Sequence, residues 1–599
     1  MAPRQWVPYG DFWMARTALV LCATLCLASL FASPAQAAIG DLVQLPAPFG
    51  CISDDGSGGL CSETEADSFF EGANDVVFGS NGTDVYVTAS GAISTFRRDP
   101  ATGRLTHVDC ISLGPGCRTP NTELSGAESL ALSPDGGQLY VASRLDSTLT
   151  IYDRGADGTL TEQPGCFDAF AGEGCVVATG LEGAGGVAVS PDGKSVYVAG
   201  EADDAIASFD RDTDTGELEQ KDQTDGCVAE VGTPNVCADG EALEKPEDIV
   251  VSPDGESVYV ASFDSRAIAI FDRNTTTGVL DQKDGTAGCV ANFNAACTPG
   301  RGVAAVSSLA LSPDGEHLYA GSSATNDGLA TFDRVADGGL TQKPGAAGCV
   351  SADGNAGTCG VGDGLDGVFS VGVSADGKSL YSTSTFDDAI GIFDRDVATG
   401  VLTQKARPKG CISPTGSDGI CEVGVVLDTG LSSPTASPDG KTVVVGVGPG
   451  VAIFARDAPG AGLPSNPNPP PPPPGGGGTT DPPELRIGST KVFTNASVAV
   501  KVFPFGPGLL GFSATAKYKK PKPRASARVT VAKKRKRVTK AGAVTVVLKA
   551  TRAARKVLKR KGRLKSNLKI TFTPETGPAV TEKRQVTFKL KRKRSAKRR

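Results

Sequence analysis

Short alternating runs of apolar and polar residues, separated by turn residues, recur along most of this chain. In one copy, an apolar run at 308–311 is followed by the turn Ser-Pro-Asp-Gly and by further runs at 317–320, 329–332 and 339–342. In such a turn Pro presets φ, Asp bonds its own backbone and Gly accepts positive φ. Each copy is therefore predicted to form four short antiparallel β-strands.

The copies recur at a nearly constant period of 54 to 63 residues. The same position of the second strand marks each of them, at Tyr86, Tyr140, Tyr197, Tyr259, Tyr319, Tyr381 and Val444. Because no copy can bury both of its faces alone, neighbouring copies must stack. A period of this size with four strands per copy is typical of a β-propeller. We predict an all-β chain in which residues 38–458 form seven blades.

The two ends of the repeat region are predicted to meet in one blade. The seventh copy ends near residue 457 without an outer strand of its own. Residues 42–44 precede Cys51 at the spacing at which the outer strand 340–342 precedes Cys349. The N-terminal segment is therefore expected to supply the missing strand and to remove an exposed sheet edge.

Cysteine usage indicates an oxidising compartment. Two of the 16 cysteines, Cys22 and Cys26, lie in residues 1–37, which are predicted below to be a secretory leader. The other 14 form one close pair per repeat, with the two cysteines 7 to 10 residues apart. Regular pairs behind a secretory leader predict disulfides, whereas a Cys-only zinc site would have to join two blades. The predicted bridges are Cys51–Cys61, Cys110–Cys117, Cys166–Cys175, Cys227–Cys237, Cys289–Cys297, Cys349–Cys359 and Cys411–Cys421.

Two segments outside the repeats have distinctive compositions. Residues 1–37 combine a short positive start, an apolar stretch and a small-residue cleavage site, which predicts a signal peptide with its start at Met1 or Met14. No later apolar stretch is long enough for a transmembrane helix in the mature chain. Residues 459–483 are rich in proline and glycine and predict a linker. The protein is therefore expected to be secreted or extracellular.

Charge divides the chain into two opposite parts. Residues 484–599 contain 35 lysines and arginines and three acidic residues, a net charge of +32. Residues 1–483 carry a net charge of −39. A strongly basic segment on an exported protein is expected to bind anionic cell-wall polymer or lipid headgroups. Export argues against a nucleic-acid partner, and aromatic residues are not interleaved with the basic ones.

The basic segment also has strand and helix patterns. Alternating runs at 527–531, 544–548 and 568–572, with helical spacing at 551–561, predict a small β-sandwich-like domain with one helix over residues 484–590. Residues 591–599 are almost wholly basic and are expected to be disordered. A disordered tail over the whole segment is the alternative.

The sequence motifs of the repeat resemble those of the propeller lactonases and of the related YVTN-repeat surface proteins over about residues 40–457. The shared motifs are Ser-Pro-Asp-Gly-x-x-Val-Tyr-Val-Ala-Ser, Ile-x-x-Phe-Asp-Arg and Thr-Gly-x-Leu. The resemblance implies opening of a sugar lactone by His, Arg and carboxylate groups in a central pocket. This chain has only His107 and His317, which we interpret as exposed structural positions. No catalytic residue is assigned.

Acidic residues in the loops after the second strands are candidates for ligand contact. A loop face of this kind suits a divalent cation or a cationic partner, although ordinary solvated turn chemistry is the favoured explanation. Apart from this possible divalent cation, no cofactor is predicted, and no residue is assigned as a metal ligand. The candidate loop residues are Asp146, Asp203, Asp204, Asp264, Asp327, Asp387 and Asp388.

A second candidate surface is a ring of small polar residues that opens the innermost strands. One such residue stands four positions before each turn, and the set is predicted to line the mouth of the central channel. Only Asp75 and Asp248 among them are charged, and these two are candidate ligand contacts. The ring consists of Asp75, Ser129, Gly186, Asp248, Ser308, Ser370 and Ser433.

Two function classes remain open. The first is a secreted, cell-envelope-associated binding or scaffold protein that a cationic C-terminal domain anchors, with an unknown ligand on the propeller face. The alternative is a secreted lactonase-like hydrolase acting on a sugar lactone through a carboxylate and arginine site. The scarcity of histidine favours the first.

Overall fold

The computed structural model describes residues 40–456 and 486–589, except for gaps. The gaps lie at 54–59, 64–71, 114–116, 123, 171–173, 233–235, 325–327, 426–429, 449, 494–496, 504–507, 520–525, 539–543, 562 and 575–579. The chain divides into two compact units, Met1–Ser465 and Asn466–Arg599. The predicted signal peptide, the linker and the terminal tail lie outside the described residues, so those assignments stay predictions.

The first unit contains seven sheets, one per repeat, among the described residues. Each sheet begins with an inner strand: Val76–Phe78, Ala127–Leu132, Ala184–Val189, Pro246–Val251, Val306–Leu311, Val368–Val373 and Pro434–Ala436. The Ser-Pro-Asp-Gly turn or its equivalent leads into the second strand: Asp84–Ala89, Gln138–Ser143, Ser195–Gly200, Ser257–Ser262, His317–Ser322, Ser379–Ser384 and Thr442–Val447.

The second strand pairs with a third strand, which ends in Phe-x-Arg, or in Tyr-Asp-Arg in the second sheet. The third strands are Ala92–Arg98, Thr148–Arg154, Ala205–Arg211, Ala267–Arg273, Gly328–Arg334, Ala389–Arg395 and Gly450–Arg456. The outer position holds one long strand in the first sheet and two short strands in each of the others. These are Leu105–Ser112, Leu160–Glu162 with Phe167–Asp168, Leu218–Gln220 with Cys227–Ala229, Leu280–Gln282 with Cys289–Ala291, Leu340–Gln342 with Cys349–Ser351, Leu402–Gln404 with Cys411–Ser413, and Leu42–Gln44 with Cys51–Ser53.

All seven predicted disulfides form, each within its own repeat. In six sheets the loop that a bridge closes adds a short parallel strand at the edge. These strands are Ser62–Glu63, Val176–Val177, Ala238–Asp239, Thr298–Pro299, Gly360–Val361 and Glu422–Val423. The bridges are typical of proteins that mature in an oxidising, extracellular or periplasmic compartment.

The inner strands contact one another in sequence, and the last contacts the first, so the seven sheets form a closed circle. The N-terminal strand Leu42–Gln44 pairs antiparallel with Gly450–Arg456, the third strand of the last sheet. Cys51–Ser53 pairs with the other half of that strand. The all-β propeller prediction is confirmed, and the two chain ends close the circle as the repeat spacing indicates.

A repeated side-chain contact explains the Tyr, Asp and Arg of the motif. Between the second and third repeats, Arg211 Nε donates to the hydroxyl of Tyr140, and Arg211 Nη2 lies 3.0 Å from Asp135. Tyr140 and Asp135 belong to one sheet and Arg211 to the next, so the contact joins neighbouring blades. Where the last sheet meets the first, Val444 stands at the tyrosine position, and the hydroxyl of Thr442 accepts from Arg98 Nε at 2.9 Å instead. These motif residues therefore stabilise blade stacking.

The second unit contains two sheets and one helix among its described residues. One sheet consists of Arg486–Phe493, Ser497–Phe503 and Val544–Lys549, and the other of Ser526–Val538, Gly508–Lys519, Arg563–Pro574 and Val580–Lys589. The helix Arg552–Lys561 buries Ala554, Val557 and Leu558 in a core that both sheets share. Gly508–Lys519 was not predicted: its buried residues Leu510, Phe512, Ala514 and Ala516 alternate with more exposed ones, but its glycines and alanines have a weak strand propensity. Within the described chain, no helix is long and apolar enough to span a membrane.

Candidate functional site

All seven ring residues line one cavity of about 700 Å³ at the centre of the propeller. The inner strands bring them together because each contributes the same position to the central channel. The ring residues also join neighbouring sheets: the N–H of Leu130 donates to Asp75 Oδ2 at 2.9 Å, and that of Leu309 donates to Asp248 Oδ2 at 2.8 Å. The two carboxylates therefore stabilise the inner strands as well as facing the cavity.

Burial makes both ring carboxyls weaker acids. It raises the pKa of Asp75, and it raises the pKa of Asp248 to about 6, with a smaller contribution from the negative charge of Asp75. The second oxygen of each carboxylate accepts a backbone N–H of its own strand, from Val76 and from Ile249. Because backbone donors occupy both oxygens, these residues are positioned as structural acceptors rather than as proton carriers.

A cluster of five charged residues stands beside the ring and also lines the cavity. We call it the mouth cluster: Glu128, Arg144, Glu201, Lys245 and Glu247. Arg144 Nε lies 2.9 Å from Glu128 Oε2, and Arg144 Nη1 lies 3.4 Å from Glu201 Oε2. Lys245 Nζ lies 4.0 Å from the same Glu201 oxygen and also pairs with Glu247. Glu201 is thus the carboxylate that both cations share.

Glu201 has the properties of a proton acceptor near neutral pH. Burial raises the pKa of its carboxyl to about 7, and the nearby charge of Arg144 only partly opposes this. Its Oε2 contacts both cations, whereas Oε1 has no hydrogen-bond donor among the described residues. An oxygen of this kind can take a proton from a water molecule in the cavity.

The cavity is asymmetric in charge. Every charged residue on its wall comes from the first four repeats. The fifth to seventh repeats contribute Ser307, Ser308, Phe369, Ser370 and Ser433, together with apolar side chains. One side can therefore polarise a bound group, while the other offers hydroxyls and the half-exposed ring of Phe369.

The mouth cluster was not predicted, although the repeat pattern contains a signal for four of its five residues. The position before each ring residue reads Asn74, Glu128, Gly185, Glu247, Ser307, Phe369 and Ser432. The position after each second strand reads Ser90, Arg144, Glu201, Phe263, Ser323, Thr385 and Gly448. Each column is charged in only two copies, and all four charged residues belong to the cluster. A charged residue at a repeat position that is uncharged in most other copies therefore marks the site.

Most of the predicted acidic loop residues lie outside this cavity. Asp146, Asp203 and Asp387 accept backbone N–H groups of Ser125, Glu182 and Asp366. Each contact joins two loops of the same repeat that are 21 residues apart in the chain.

Of the remaining loop residues, Asp204 accepts the N–H of Lys245 at 2.8 Å. Asp388 has positive φ, Asp264 is exposed, and Asp327 lies outside the described residues. Ligand contact by the loop residues stays a prediction.

The interpretation of His317 as an exposed residue is wrong. His317 is buried, and its Nδ1 lies 2.7 Å from Arg395 Nη2 in the contact that joins the fifth and sixth blades. Burial and the charge of Arg395 lower its pKa, which favours the neutral ring. The repeat places it beside the Ser-Pro-Asp-Gly turn, at the end of the inner strand away from the mouth cluster. His107 is half-buried against Phe96 on an outer strand.

Comparisons with known proteins agree with the propeller fold. Residues 71–229 and 176–292 match the sequence model of the family described as Lactonase, 7-bladed beta-propeller. No match was found among curated proteins.

Several solved structures are similar to this chain. A proposed 6-phosphogluconolactonase from Bacteroides uniformis is 21% identical, with a TM-score of 0.39 and coverage of 55% of this chain and 82% of that one. The periplasmic gluconolactonase PpgL of Pseudomonas aeruginosa is 19% identical, with a TM-score of 0.39 and the same two coverages. Hydrazine synthase of Kuenenia stuttgartiensis is 16% identical, with a TM-score of 0.40 and coverage of 65% and 97%. With the family match over its first four repeats, the propeller of this chain is lactonase-like.

Proposed function

We propose that this protein is a lactone hydrolase whose catalytic centre is the mouth cluster. One observation carries the proposal: Glu201, with a pKa of about 7, stands between two cations on the wall of a central cavity. The match to the lactonase family supports it. Scarcity of histidine is then no obstacle, since a carboxylate with a raised pKa can serve as the base.

The chemistry follows from the three groups. Glu201 takes a proton from water as the water oxygen forms a bond to the lactone carbonyl carbon. The side chains of Arg144 and Lys245 stabilise the negative charge that develops on the carbonyl oxygen. The ring C–O bond then breaks, and protonated Glu201 returns the proton to the departing oxygen. The product is the open hydroxy acid.

The charge of the cavity selects an uncharged lactone in this proposal. Five carboxylates and two cations line the cavity, and each cation is already paired with carboxylates. A phosphate on the substrate would meet surplus negative charge in a cleft that concentrates the field. Phe369 offers a ring face to the apolar side of a sugar.

A pH-stat assay tests this function. The purified chain is expected to hydrolyse glucono-1,5-lactone above the spontaneous rate, with the rate rising through about pH 7 as Glu201 ionises. The 6-phosphate of the same lactone should react about ten-fold more slowly because like charges repel at the mouth. Rates equal to the buffer blank for both lactones would contradict the proposal.

A second proposal concerns where the protein acts. We propose that the basic unit attaches the secreted protein to anionic polymer of the cell envelope. The propeller would then act on its substrate, or bind its ligand, at the envelope. The attachment is supported by a continuous run of exposed basic side chains on the strand Ser526–Val538. The run consists of Lys533, Lys534, Arg535, Lys536 and Arg537.

Salt dependence tests the attachment. The full chain is expected to sediment with purified cell-wall polymer at low ionic strength and to be released by a few hundred millimolar salt, roughly where screening lengths fall below ~8 Å. A shortened chain ending at residue 456 should stay in the supernatant, because the propeller part is strongly acidic. Binding by the shortened chain would transfer the site to the propeller and contradict the attachment.

A further inference from the structure

The outer face of the four-stranded sheet carries a row of exposed lysines. Lys533 pairs with Ser513, Ser513 with Lys569, and Lys569 with Lys583 on four adjacent strands. All three lysines are exposed. Residues directly opposite each other on adjacent strands point to the same face, so the row crosses the whole sheet.

The row is electrostatically unfavourable in the isolated protein. Lys569 and Lys583 are directly opposite, and like charges in that arrangement destabilise a sheet. Residues 484–599 contain only three acidic residues that could offset them. More basic side chains lie on the same face, with Arg535 on the edge strand Ser526–Val538 and Lys565 on Arg563–Pro574, the strand that carries Lys569. An anionic ligand laid across the strands would relieve this repulsion.

The composition of the face favours a polymer over a membrane. Apart from basic residues, its described side chains include Ser513, Thr571 and Thr573, and Leu509 is its one exposed large apolar side chain within the described part. Membrane-surface segments instead combine basic residues with exposed aromatic and apolar anchors. The spacing between strands of ~4.8 Å places successive charges within reach of a chain of linked anionic groups.

We infer that Lys533, Lys569 and Lys583 form the binding strip for a phosphate-bearing polymer that runs across the strands of this sheet. The inference rests on the proposed attachment and names its site. The helix Arg552–Lys561 packs on the opposite face through Val557 and Leu558, so its basic residues do not belong to the strip.

Charge-matched triple variants of the full chain test the strip with inorganic polyphosphate as the probe. The variant K533Q/K569Q/K583Q is expected to bind at least ten-fold more weakly, with the slope of log K against log salt reduced by about two to three. The control K556Q/K559Q/K561Q removes the same charge from the helix and should change affinity less than three-fold. The strip variant should melt no lower than the unaltered chain, since the Lys569–Lys583 repulsion is gone.

The outcomes separate the strip from the attachment. Equal weakening in both variants would overturn the strip and leave the attachment standing on net charge alone. Failure of the unaltered chain to bind polyphosphate at low salt would overturn both. If the unaltered chain bound anionic vesicles more strongly than polyphosphate, and the strip and helix variants lost this binding equally, the ligand would be a membrane surface and the inferred polymer strip would be wrong.

Discussion

Glu201→Gln is expected to lower the rate of lactone hydrolysis by about 100- to 1000-fold, since a positioned general base contributes ~10²–10⁴. The amide keeps the shape of the side chain and its place beside Arg144 and Lys245 but cannot take the proton of water. Initial rates in a pH-stat at pH 7.5 measure the loss. Glu217→Gln, an exposed substitution in the same repeat, is the matched control and should retain the full rate.

The stability of the same variant gives an independent measurement. Burial raises the pKa of Glu201 from 4.5 in its ordinary state to about 7 in the folded protein. Between these values the folded state binds more protons than the unfolded state, so the contribution of Glu201 to stability falls as pH rises from about 4.5 to 7. Glu201→Gln should therefore raise the melting temperature at pH 8 and leave it unchanged at pH 4. If Glu201→Gln instead hydrolysed the lactone at the full rate, Glu201 would not be the general base.

Removal of the closing strand is the second large effect. Deleting residues 40–45 should lower the free energy of unfolding by about 5 kcal/mol, because a buried leucine, a strand pairing and a buried carboxylate are lost together. Leu42 is 3% exposed, and Asp41 is buried, 3.3 Å from the Lys405 ammonium. Urea unfolding of the two proteins measures the difference.

Two point variants on that strand separate side-chain burial from strand pairing. Leu42→Ala should cost about 2–4 kcal/mol, whereas Val43→Ala, on the opposite face and 40% exposed, should cost less than about 0.5 kcal/mol. Both keep the pairing with the last blade. If the deletion left the unfolding midpoint unchanged, the circle would be held by the contacts of Arg98 and Cys51–Ser53 instead.

The repeat period and the residue pattern within each repeat determined the propeller, its disulfides and its closure. These features depend on local patterns: alternation defines strands, Ser-Pro-Asp-Gly defines turns, and cysteines seven to ten residues apart meet within one loop. The ring of seven small polar residues also followed from the sequence, because equivalent positions of a repeat occupy equivalent places around the axis.

Only the tertiary structure decided which residues can do chemistry. Arg144, Glu201 and Lys245 stand far apart in the chain and in three different repeats, and they meet because the inner strands converge on one cavity. The raised pKa of Glu201 comes from burial, which no local pattern records. His317 likewise is buried because an arginine of the next blade packs against it. Sequence patterns specify the blades, whereas contacts and burial between blades set the charge and proton affinity of the site.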